Sequence, residues 1–182
     1  MWTTSHRLLN GPTPMALPGQ KKTFALENCR DFLDKLEWEI DELKNTPSND
    51  ARGLAYRSSN AFVTAWHIAD WVWKSMTEDH KEALQDEWNL KMLTKGEFMY
   101  GLRKRNRELA TCREIATALK HVELRSPDET VNTSISATRD SLISTRWVLE
   151  VLDGEVKRPA LTVLEGALNF WTPFIYQRKI SA

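Results

Sequence analysis

The sequence predicts a mainly α domain, a helical bundle of four or five helices with a small antiparallel β-hairpin element before the last helix. Three patterns carry that expectation. Apolar residues recur at steps of three and four over residues 24–43 and again over 161–175, the stripe of a helix packed against neighbours. Residues 51–76 wind a much broader apolar sector, which calls for burial on several sides. An Asp153-Gly154 pair separates two extended runs, the strongest short-range signal for a hairpin. At 182 residues the chain has the length of about one domain.

Each element follows from local composition. Residues 1–22 hold Gly11, Pro12, Pro14, Pro18 and Gly19, a density of breakers that excludes a long helix. They read as an arm, disordered or draped over the single helical domain of residues 23–182. In the first helix Leu26, Cys29, Leu33, Leu36, Ile40 and Leu43 form a heptad seam, with Cys29 a small core residue. Residues 46–50 break it, and Asp50 is placed to cap the second helix. There Ala61, Phe62, Ala65, Trp66, Ile68, Ala69, Val72 and Trp73 share one sector, while Asn60, Thr64, His67, Asp70 and Trp71 fall on the other. Thr77 caps a shorter helix running towards Leu90. Thr94 and Glu97 form a capping box ahead of a run from Phe98 to Val122, which Gly101 and Asn106 can divide. Alternation over residues 131–138 and the runs 146–152 and 155–158 place the β-hairpin around 145–158, with Asp153 and Gly154 as its turn. Pro159 opens the last helix, which Pro173 should end or kink.

The same residues narrow the function. Twenty-five acidic and twenty-five basic side chains cancel, so no global field draws the chain to nucleic acid or lipid. No apolar stretch of about 20 residues exists to cross a bilayer, so no membrane partner is expected. Two cysteines and a start without an apolar leader fit a reducing, cytoplasmic location. Glycine-rich phosphate loops, C-x-x-C, H-E-x-x-H and G-x-S-x-G are absent, so neither a cofactor nor a metal is expected.

Three groups of residues remain as candidates. His67 and Asp70 stand three apart on one helix, the spacing at which a carboxylate orients an imidazole. Arg113, Lys120 and His121 follow in a later helix, and His121 facing His67 across a cleft would make an acid–base pair. Arg103, Lys104, Arg105 and Arg107 form the basic cluster, able to hold phosphates or other anions. Of the eight tryptophans, Trp66, Trp71 and Trp73 could wall a small-ligand pocket, although packing explains such residues more often.

The segment from Asn60 to Trp71 resembles an N-A-x-x-T-A-W-H-x-x-D-W signature of small uncharacterised bacterial proteins. In these a segment like Cys112-Arg113-Glu114-Ile115-Ala116, then Lys120-His121 and a late Phe170-Trp171, follow. That resemblance implies kinship and attaches no activity. A looser similarity is to HEPN helical domains, many of them ribonucleases of toxin–antitoxin and phage-defence systems. Their Arg-polar-x(4–6)-His signature is not matched, because Arg105-Asn106 has no histidine in range and seven residues separate Arg113 from His121. The similarity therefore implies a helical bundle and a dimer. The reading that results is a non-enzymatic helical interaction or accessory protein, of a mobile-element or defence locus, with a protein partner or self-association. Its alternatives are a metal-independent ribonuclease acting on RNA through His67 and His121, or small-ligand binding beside the tryptophans.

Overall fold

A computed structural model of the chain describes residues 26–120, 131–139 and 145–180. Its described elements run α1 (Cys29–Lys44), α2 (Ala51–Ser75), α3 (Glu78–Glu87), α4 (Lys95–Arg105), α5 (Arg107–Lys120), β1 (Val131–Arg139), β2 (Thr145–Asp153), β3 (Val156–Pro159) and α6 (Ala160–Gln177). The arm expected over residues 1–22 lies outside the described residues.

The caps are local and fall where short polar side chains stand. The Asn28 carboxamide accepts from the Arg30 and Asp31 amides, and the Asp31 carboxylate accepts in return from the Asn28 amide. That reciprocal box starts α1 at Cys29, later than the apolar repeat suggests. Asp50 accepts from the Gly53 amide at 2.8 Å, and Thr94 from the Glu97 amide at 3.1 Å. At the head of α3 the box is Thr77 with His80, whose ring nitrogen Nδ1 accepts from the Thr77 amide. Asn106, in extended conformation, ends α4 and caps α5 by accepting from the Leu109 amide at 2.8 Å. The long run thus divides at Asn106, while Gly101 stays within α4 and the described helices number six.

The bundle is built around α2, which packs against α1, α4, α5, α6 and β2. The α1 seam of Cys29, Leu33, Leu36, Ile40 and Leu43 is buried against it. Trp171 of α6 is fully buried at the centre, and its indole N–H donates to the Ala65 carbonyl at 2.9 Å, giving this large ring the polar partner it needs. Phe98, Phe170 and Phe174 extend the aromatic core around it. Thr64, expected on the polar side of α2, is buried instead, because Lys35 reaches across from α1 to bond its hydroxyl at 2.6 Å. Lys35 also pairs with Glu39, a buried carboxylate with one oxygen unpartnered among the described residues.

The three strands form an antiparallel sheet in the order β1-β2-β3. Its register opposes Val131 to Asp153, Thr133 to Val151 and Ile135 to Leu149. Val151 is fully buried, so these residues form the face turned to the helices. Glu150 sits on the other face, where Lys157 bonds it at 2.5 Å and holds its carboxyl below the usual range. The hairpin differs from expectation by one residue. Asp153 pairs with Val156, so the turn is Gly154-Glu155. Of these two turn residues Gly154 alone has positive φ, +61°, which fits a II′ turn with glycine first. The α6 helix also runs through Pro173 to Gln177, where expectation had an end or a kink; buried Phe174 and Ile175 hold its last turns on the core.

Candidate basic cleft

Cationic side chains gather where α4, α5 and the β2–β3 turn meet. The α4 helix ends in Arg103-Lys104-Arg105, and Asn106 turns the chain so that Arg107 begins α5 on the same side. A cleft of about 530 Å³ results, lined by these four cations with Tyr100, Thr111, Glu114, Val131 and Asp153. Arg103 and Lys104 lie over the half-exposed Tyr100 ring, 5.8 and 5.4 Å from its centroid, and have no carboxylate within ion-pair distance among the described residues. Arg105 is held otherwise, 4.5 Å over the Trp88 ring and bonded to the Trp88 carbonyl at 3.4 Å.

The far wall is a polar network. Arg107 Nε donates to Asp153 Oδ2 at 2.8 Å, and the Thr111 hydroxyl donates to the Arg107 carbonyl at 2.9 Å. Arg158, mostly buried, donates to Glu108 at 2.9 Å, to Thr111 at 3.2 Å and to Asp153 at 3.3 Å. Its guanidinium thereby neutralises the carboxylates beneath the cleft and fixes Asp153 as the partner of Arg107. Cys112 lies behind this network. Burial, seconded by the negative charge of Glu108, pushes its thiol far above the ordinary range, so it remains protonated and a poor nucleophile.

The remaining sequence candidates are dispersed. His67 is exposed on α2, and Asp70 bonds Lys95 at 2.7 Å rather than the imidazole. Asn60 is exposed as well. Arg113 pairs with its neighbour Glu114, and Lys120 is exposed at the end of α5. His121 lies outside the described residues. Trp71 stacks on Phe32 at 4.7 Å, Trp73 packs on Phe98 at 5.7 Å, and Trp66 lies against the core. Five cavities formed among the described residues have linings that include none of these three rings.

Sequence reasoning found the four cations and missed Tyr100, Thr111, Asp153 and Arg158. The one local hint was Tyr100 itself, a turn ahead of Arg103 and Lys104. Among the described residues no three His, Cys, Asp or Glu side chains converge to hold a metal ion, and no helix is long and apolar enough to cross a membrane. Comparison of the chain with protein-family models, with curated proteins and with solved structures returned no match.

Proposed function

We propose that this chain is a non-enzymatic interaction protein whose basic cleft captures a carboxylate-bearing segment of a protein partner. The observation that carries the reading is the pair Arg103 and Lys104, held over Tyr100 at the mouth of a large cleft with no carboxylate paired to either among the described residues. Two such cations in a concave site attract an anion, and the ring beneath them limits the entropy lost on binding.

The rest of the cleft favours carboxylate groups over a phosphate chain. Asp153 already pairs with Arg107 and Glu114 with Arg113, so few unpaired cations remain beside the cleft for successive phosphates. The formal charge of zero adds no long-range attraction for RNA. A fluorescence titration tests the choice, with labelled polyglutamate and labelled polyuridylate offered at about 0.05 and 0.15 M salt. Polyglutamate should bind more tightly at both, and Arg103→Glu with Lys104→Glu should abolish its binding. Tighter binding of the RNA at the higher salt would overturn the reading.

A further inference from the structure

The basic cleft continues into a groove. Glu114 and Val131 border both the cleft and a channel between α5 and β1, which Ala118 and Leu119 of α5 line from the helix side. Ile115, Leu119 and Thr133 then border both that channel and an apolar cavity of about 210 Å³. Three features suggest what the groove takes. Among the described residues β1 pairs with β2 alone, so its other edge presents unpaired backbone N–H and C=O groups. Leu119 and Ile135 stand about half exposed at the cavity mouth, at 51% and 43%. Ser58, a residue only 4% exposed, borders this cavity, and its buried hydroxyl has no hydrogen-bond partner among the described residues.

Resting on the proposed function, we infer that this groove is a strand-addition site for an extended segment of a partner protein. The segment pairs with β1 and sets a carboxylate beside Val131 and an aromatic residue with one polar atom, such as tyrosine, beside Ile135. The two anchors are four residues apart, as Val131 and Ile135 are, so both point to the helix-facing side and stand about 13 Å apart. Arg103, Lys104 and Arg107 meet the carboxylate. Leu119 and Phe62 meet the ring, and Ser58 satisfies its polar tip. The antiparallel arrangement pairs better per residue and gives the order Tyr-x-x-x-Glu.

Charge favours another protein over the arm and over a second copy's β1 as the occupant. Residues 1–25 contain Arg7, Lys21 and Lys22 but no Asp or Glu, so the arm brings no carboxylate to the cations. A second copy pairing edge to edge would offer residues 131–139, which hold no acid either.

The test is a fluorescence-polarisation titration of the full chain with a labelled, β-prone Tyr-x-x-x-Glu peptide, accompanied by amide exchange on β1. Saturable binding should slow exchange in residues 131–139. It should weaken by at least about tenfold in Ile135→Asp and in the Arg103→Glu, Lys104→Glu double variant. Ser58→Ala should weaken the tyrosine peptide and leave its phenylalanine counterpart unchanged. Loss of binding in the double variant with none in Ile135→Asp, and no protection of β1, would overturn strand addition while leaving anion capture standing. Absence of binding by the peptide and by polyglutamate alike would overturn both. Concentration-dependent protection of β1 without peptide would make a second copy the occupant. Tighter peptide binding after neutralising Glu123, Asp128 and Glu129 would assign the groove to the chain's own 121–130 segment. Either of these two results overturns the partner assignment.

Discussion

Replacing Gly101 with alanine should destabilise the protein, although alanine is the better helix former. An alanine Cβ would stand 2.3 Å from Cζ3 and 2.6 Å from Cε3 of Trp88, where carbon atoms prefer about 3.5–4.0 Å. The ring must therefore retreat by about 1 Å. It has little room to do so: Trp88 is 7% exposed, stacks on Phe98 at 5.9 Å, and lies under the Arg105 guanidinium. Helix propensity returns about 1 kcal/mol, while overpacking a close-fitted site costs typically about 1–3 kcal/mol. With the ring confined on two sides the cost falls at the upper end, and the net loss is about 1–2 kcal/mol. In a domain of this size that lowers Tm by about 2–8 °C. Calorimetry of Gly101→Ala beside Gly96→Ala reads the difference, because a Cβ at Gly96 meets only Thr94 Oγ1 at 3.7 Å. Gly96→Ala should be neutral or slightly stabilising, and Trp88→Leu should remove most of the Gly101→Ala penalty. An unchanged or raised Tm in Gly101→Ala would refute the reasoning.

Three further outcomes follow from buried groups. Arg158→Met leaves Glu108 and Asp153 without their shared cation and should cost about 2–3 kcal/mol, read as a lower urea midpoint at unchanged slope. Lys35→Ala should cost about 2–3 kcal/mol for the same reason at Glu39, and Lys35→Met combined with Glu39→Leu should recover most of it. Burial raises both the Cys29 and the Cys112 thiols, so neither should react with a thiol reagent at pH 8 until the chain unfolds. The sign of the pH effect follows. Below the ordinary thiol value of 9.0 both states hold the proton, whereas above it the unfolded chain ionises first and native stability falls. Each thiol contributes at most about 1.4 kcal/mol per pH unit, and Cys112→Ala should flatten the loss measured above pH 9 by up to that amount.

How far the candidate site could be read in advance depended on the range of each interaction. The four cations are legible because they are consecutive or nearly so, and their common side follows from the turn at Asn106. Their partners are not, since Arg107 meets Asp153 and Arg158 meets Glu108 only when the β-hairpin docks on α5. His67 and Asp70 show the reverse case. Helical spacing places them on one side, yet Lys95 takes the carboxylate from outside the helix. Winding α2 alone places Thr64 and Trp71 on its polar side, whereas Lys35 and Phe32 of α1 decide their surroundings.

By itself the sequence determined the helices, their caps at Asp50, Thr77 and Thr94, the seam of α1 and the extended segments. Those features depend on interactions within about one helical turn or between adjacent strand positions, which composition and spacing encode directly. Tertiary structure alone decided that Gly101 admits the Trp88 ring, that the hairpin turns at Gly154-Glu155, and that basic cleft, groove and apolar cavity form one continuous surface. The physical reason is that each of these depends on how α5, α6 and the sheet pack, and packing brings together residues with no local relation in the chain.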